Sequence, residues 1–341
     1  MKGTSWRAAA VLAAVLAVGA TARAEMPAWD GETAPMPSET VDGTVWKFRI
    51  NAGNAEVAGG GPSGGAISIP RRLGGCPVTV IGAEAFAGCK ELTSVSIPDC
   101  VKTIGHSAFA RCEGLAEVSI PNGVEEIGEW AFAGCAALER VSIGTGTKSI
   151  RNYAFGFCPS LTEIEVDAGN PHFKTDDGVL LVRDGSELVL VPRNRPGTFE
   201  VPEGVVAIHS MAFGDCRALV RVVLPDSLYG IGEKAFWRCG KLEAVDFGNG
   251  VRVIAGKAFH DCTKLASVTL PDSVEQIGDN AFRFCRDLKT AVLGNGVRRI
   301  DFNAFADTGL ETLRVPASWR AGAMLECAKI PESCRVVYGD E

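Results

Sequence analysis

An Ala-Phe dipeptide recurs nine times in this chain, each time with an isoleucine four residues ahead of the alanine. The isoleucines are Ile81, Ile104, Ile127, Ile150, Ile208, Ile231, Ile254, Ile277 and Ile300. The step is 23 residues, except between Ile150 and Ile208, where it is 58, one repeat plus an insertion of 35. A period this short restricts the fold sharply. One repeat cannot bury its own apolar face, so the copies must stack into a solenoid or another array. In such an array function lies on a long surface and not in one enclosed pocket.

The repeat from Leu92 shows what each copy encodes. Val95-Ser96-Ile97 alternates as a strand with one buried face does, and Pro98 ends it because proline cannot donate the next ladder hydrogen bond. Val101 to Ile104 supply a second short apolar pair, and Gly105 breaks the chain. His106 to Ala110 then fit a single helical or 3₁₀ turn that buries Ala108 and Phe109, and Cys112 and Leu115 lead into the next strand. Stacking turns these positions into columns. The Phe column, from Phe86 to Phe305, reads as core filler on the convex side, since each Phe follows a small Ala and lies between apolar columns.

With these residues in view, the pattern L-x-x-V-x-I-P-x-x-V-x-x-I-G-x-x-A-F-x-x-C resembles the BspA-like leucine-rich repeat of bacterial surface proteins, over about Val45 to Val337. The resemblance implies a right-handed leucine-rich repeat solenoid with a parallel β-sheet on its concave face and short turn or 3₁₀ segments on the convex side. It also implies secreted or surface proteins that bind other macromolecules, host and matrix proteins among them, and that are not enzymes. Single copies depart from the pattern: Thr308 stands for Cys, and Ala255, Arg151, His209 and Asp301 stand for the Gly after Ile.

The first segment, 1–24, reads as a secretory signal peptide: Lys2 and Arg7, then an apolar run from Ala8 to Gly19, then Ala22-Arg23-Ala24, with cleavage at Ala24-Glu25. That run is too short to span a membrane, no cysteine lies near the cut to direct lipoprotein processing, and no later stretch qualifies as an anchor. The expected location is therefore secreted, periplasmic or cell-surface. Removal of the signal leaves 31 basic and 41 acidic residues. An acidic chain without a basic stripe argues against nucleic acid as a partner. Residues 25–44 read as a linker, 45–80 as an N-terminal cap, 81–316 as the solenoid and 317–341 as a C-terminal cap. The insertion, about 167–203, carries two apolar runs, Val179–Val182 and Glu187–Val191, around Asp184-Gly185, the residues of a tight hairpin. It reads either as a decoration on the solenoid edge or as a specificity element at the rim of the binding face.

The chain has 12 cysteines, and eight of them, from Cys89 to Cys285, share one repeat position. In a stack their Cβ vectors run parallel, whereas a disulfide needs them turned toward each other. They read as buried thiols. The pairs Cys327-Cys334, in the C-terminal cap, and Cys76-Cys100, in turns of neighbouring rungs, are the candidate disulfides. No C-x-x-C occurs and the four histidines share no repeat position, so no metal site is expected. Gly61-Pro62-Ser63-Gly64-Gly65 matches G-x-S-x-G, and Gly59 to Gly64 matches G-x-G-x-x-G, but neither lies in the strand-turn-helix setting those chemistries need. No cofactor and no catalysis are expected.

The remaining information lies in outward strand positions, which are small, polar and of mixed charge. The candidate partner-binding face is Arg140, Glu163, Glu165, Arg221, Val223 and Asp246, flanked by the hairpin. Trp130 and Trp237 fall on convex turns, each isolated in the sequence. A monomeric recognition protein with a protein ligand is the favoured reading. A structural or carbohydrate-associated surface component is the other.

Overall fold

A computed structural model describes residues 36–61, 64–321, 325 and 327–339. They fall into two compact units, one ending at Gly178 and one beginning at Val179. The expected signal segment and its cleavage point lie outside the described residues.

In the N-terminal unit the chain coils once per repeat and lays down two stacks of parallel strands. One stack holds the V-x-I segments Glu117–Ile120, Arg140–Ile143 and Glu163–Val166, paired so that Val118, Val141 and Ile164 align. The other holds the short pairs Thr103–Ile104, Glu126–Ile127 and Ser149–Ile150, each in register with the next. Alternation explains the first stack: Val118, Ile120, Val141 and Ile143 are buried while Glu117, Ser119 and Arg140 are exposed. The second short apolar pair read from each repeat thus forms a parallel stack of its own. The segment expected as a linker holds the strand Ser38–Val41, antiparallel to Thr44–Asn51, which pairs in turn with Asn54–Gly60. Asn54–Gly60 runs parallel to Cys76–Ile81 and starts the stack.

The third side of each coil, the Ala-Phe turn, is not the helical or 3₁₀ turn anticipated from the sequence. Ser107 and Arg111 adopt left-handed φ of 53° and 58°, which interrupts any right-handed helix. The Phe109 amide donates to the Ala131 carbonyl on the next rung at 2.7 Å, and Phe86 does the same to Ala108 at 2.8 Å. Alternate amides thus form a third ladder between rungs, while those between them close tight turns within the rung, as Ala110 does to the Ser107 carbonyl at 3.0 Å. Phenylalanines stack inside it, with ring centroids 5.1 Å apart for Phe86–Phe109, 5.2 Å for Phe109–Phe132 and 5.5 Å for Phe132–Phe155.

The cysteine column fits this ladder. Cys112, Cys135 and Cys158 direct Sγ at the carbonyls of Phe86, Phe109 and Phe132 at 3.2 Å, and Cys239, Cys262 and Cys285 repeat the contact at 3.1 Å in the C-terminal unit. A thiol is small enough for the core and supplies a weak donor to the preceding rung. In the last repeat the Thr308 hydroxyl donates instead to Phe305 of its own rung, at 2.8 Å.

The C-terminal unit repeats the plan, with Ala207–Ile208, Gly230–Ile231, Val253–Ile254, Gln276–Ile277 and Arg299–Ile300 in one parallel stack. From Val179 on, the insertion is built into the stack. Its second hairpin strand, Glu187–Leu190, runs parallel to Ala207–Ile208, and Gly197–Glu200 runs parallel to Leu219–Val223. Leu180, Leu188 and Val191 are fully buried, and Phe199 packs edge-on against Phe213, 5.2 Å away. This part of the insertion is thus the first coil of the unit, and it covers the start of the Phe213 column. Glu187 and His209 pair across these two rungs at 2.5 Å, and that hydrogen bond holds the Glu187 carboxyl below its ordinary range. At the far end Arg335–Tyr338 adds a further parallel rung to Thr312–Val315.

All 12 cysteines are thiols. The candidate pairs are not joined: the Cys100 thiol is directed at the Arg71 carbonyl, 3.6 Å away, Cys334 packs at the edge of the core, and Cys327 is exposed. Burial pushes the Cys216 thiol up to about 12 and raises Cys262 and Cys285 as well. Only thiolates react quickly. In a thiol-titration experiment on the native protein, Cys327 should therefore react at once and the fully buried column should stay silent. Urea should release twelve equivalents. A total of eight or ten would show that the end pairs are oxidised.

Candidate recognition surface

The sequence-predicted face divides between the two units. In the N-terminal unit Arg140, Glu163 and Glu165 project outward from adjacent rungs of the V-x-I stack. The Arg140 guanidinium donates through Nε to Glu163 Oε2 at 2.5 Å and lies 3.5 Å from Glu117 on the other side. Hydrogen bonding to Glu163 raises the Arg140 pKa and lowers that of Glu163, and Glu117 and Glu165 add weaker attraction for Arg140. One cation thus faces three carboxylates, with all four side chains exposed. Beside them Ser142 donates to Ser119 across one rung at 3.0 Å.

In the C-terminal unit Arg221 binds Asp246 on the next rung, at 2.7 Å through Nε and 2.6 Å through Nη2. Val223 follows two residues on and is half-buried beside its rung partner Asp246. Further along, Lys264 pairs with Asp287 at 2.9 Å and Lys289 with Glu311 at 2.8 Å. Here charge is balanced pair by pair.

Ion pairs one repeat apart are not confined to this face. Lys102 and Lys148 flank Glu125 at 3.5 and 2.7 Å, and Arg252 pairs with Glu275. Cross-rung pairing follows from stacking like positions, and exposed pairs of this kind contribute little to stability. What distinguishes the N-terminal strand face is its surplus of carboxylate around Arg140.

The turn side carries a group of side chains that reading along the chain missed. Trp130 is not isolated: it stacks on Tyr153 with centroids 4.3 Å apart and runs parallel to Phe157 at 5.8 Å. Tyr153 occupies the same repeat position one rung later, so a column-by-column reading would have revealed the stack. Trp237 lies under a guanidinium, that of Arg238, at 4.8 Å, and Arg283 covers Phe284 at 4.6 Å. Among the described residues no three His, Cys, Asp or Glu side chains converge as a metal site requires. No helix among them is long and apolar enough to cross a membrane.

The model of the BspA type leucine rich repeat region matches six copies, over residues 79–175 and 197–318. The chain belongs to the BspA-type leucine-rich repeat family. Two solved structures share the fold of this BspA-type protein. The pneumococcal vaccine antigen PcpA superposes with a TM-score of 0.65 at 20% identity, over 91% of this chain and 95% of that one. A leucine-rich cell surface protein from Faecalibacterium prausnitzii gives 0.55 at 23% identity, over 91% and 96%. A comparison with proteins of curated function finds no match.

Proposed function

We propose that this BspA-type protein is a secreted or surface-associated recognition or adhesion protein, monomeric and without catalysis of its own, that binds a protein ligand through the strand face of its solenoid. The observation that carries this reading is the exposed cluster of Arg140 with Glu117, Glu163 and Glu165, held on adjacent rungs of a rigid stack. Charged side chains fixed at constant spacing on a scaffold favour orientation and selectivity of a partner. The balanced pair Arg221–Asp246, with Val223 beside it, offers the matching surface in the C-terminal unit. The hairpin contributes mainly buried residues, so its share of the binding surface is limited to its exposed turn around Arg183 and Asp184. The family and the cell-surface description of one structural neighbour support an extracellular setting.

The test is capture from extracellular-matrix and cell-surface extracts by the immobilised protein, beside a variant carrying Arg140→Glu and Arg221→Glu. A partner retained by the parent should be weakened at least tenfold by the variant, with unchanged thermal melting. Equal retention by both would remove the strand face from the reading. The second reading, a carbohydrate-associated surface component, gains support from the aromatic cluster on the outer turns.

A further inference from the structure

On the outer turns of the N-terminal unit lies a groove of about 590 Å³. That volume is in the range of small-ligand clefts, about 300–1,000 Å³. Its origin is legible column by column. The position after Phe is Ala87, Ala110 and Ala133 on three successive rungs, and the position beyond is Gly88 on the first and Gly134 on the third. These small residues leave a recess. At the fourth rung the pattern changes to Phe157, which with Trp130 forms an aromatic wall of nearly parallel rings, 7° apart. Tyr153 stacks on Trp130 and fixes its plane. On the preceding rung the position equivalent to Trp130 is Ser107, too small to fill the space before the indole.

We propose that this groove is a carbohydrate-binding site for an uncharged oligosaccharide. A pyranose ring has an apolar C–H face and a rim of hydroxyls. The wall offers a flat aromatic surface to the first, and Glu84, Ser107 and Arg111 line the groove with acceptors and donors for the second. One acid and one base among the lining residues leave the site without net charge, which suits neither a phosphate nor a polyanion. The stem of Arg111 passes beside the Gly134 backbone, where an added Cβ would lie 3.4 Å from its Cγ. The site is independent of the strand-face reading, because its residues lie on the turns and not on the V-x-I stack.

The test is calorimetric titration of the full chain with cellotetraose, maltotetraose, mannotetraose and chitotetraose. At least one should bind, and Trp130→Ala should weaken it tenfold or more. Ser107→Trp, which fills the recess and exchanges one lining hydroxyl for an indole, should block the same ligand while the melting temperature stays at the parent's value. Failure of all four sugars to bind at millimolar concentration overturns the proposal. So does a sugar bound equally well by the parent and by both variants.

Discussion

Truncating Phe259 to alanine should destabilise the C-terminal unit by about 3–5 kcal/mol, the range for removing a fully buried aromatic ring. Phe259 has no exposed surface. It is stacked between Phe236 and Phe282, with centroids 4.9 and 5.2 Å away, and Phe247 meets it edge-on at 5.9 Å. The hole would open in the middle of a column whose backbone is fixed by rung-to-rung hydrogen bonds on both sides, Phe236 to Ala258 at 2.7 Å and Phe259 to Ala281 at 2.8 Å. The site therefore cannot collapse easily. Urea unfolding followed by circular dichroism gives the value. Phe302→Ala is the internal control: that ring is 58% exposed, and its loss should fall within roughly ±0.5 kcal/mol. Similar effects from both would mean that the column does not carry the stability assigned to it.

The second large effect is expected from a single methyl group. A Cβ placed on Gly250 would lie 2.0 Å from the Asp226 carbonyl oxygen and 2.9 Å from that of Leu228, both on the preceding rung. Neither is a side chain that can swing away. Gly250→Ala must therefore part the two rungs, and rung contacts such as the Arg252 amide to the Tyr229 carbonyl at 2.9 Å would stretch with them. Overpacking of this kind costs about 1–3 kcal/mol. On the next rung this slot holds Ser273, whose hydroxyl donates to the Val251 carbonyl at 2.8 Å. Ser273→Ala loses only that hydrogen bond, about 1 kcal/mol. In the same urea experiment Gly250→Ala should be the more damaging of the two. The reverse order would show that rung spacing relaxes freely.

Much of this architecture was legible because period and alternation are properties of the sequence itself. The V-x-I-P segments became strands, the Ala-Phe pairs became a stacked column, and seven of the eight cysteines at one repeat position became buried thiols, Cys89 on the first rung being half-buried. What was not legible depended on contacts between rungs. The turn at Ser107 looked helical because no glycine marks its left-handed residues, which are held in place by hydrogen bonds to the following coil. The hairpin looked peripheral because its strands break the period, yet Leu188 aligns with Ile208 as a repeat residue would. Trp130 looked solitary because its partners are 23 and 27 residues away, a distance that one turn of the coil reduces to stacking contact. For the strand face, the period places Glu117, Arg140 and Glu163 on successive rungs, while the contacts at 3.5 and 2.5 Å are set by how their side chains turn.

The left-handed turn residues have a consequence for how such a chain can diversify. The residue before each Ala-Phe pair is Glu84, Ser107, Trp130, Tyr153, Met211, Lys234, Lys257, Asn280 and Asn303, with φ between 53° and 63° throughout. Acidic, basic, amide, hydroxyl, thioether and aromatic side chains thus share one backbone conformation. Apart from Tyr153 and Met211, which are buried, each can be exchanged without disturbing the core. The file of turns therefore behaves as a natural library: point mutation can rewrite the chemistry of the surface slot by slot, while the scaffold that presents it stays the same.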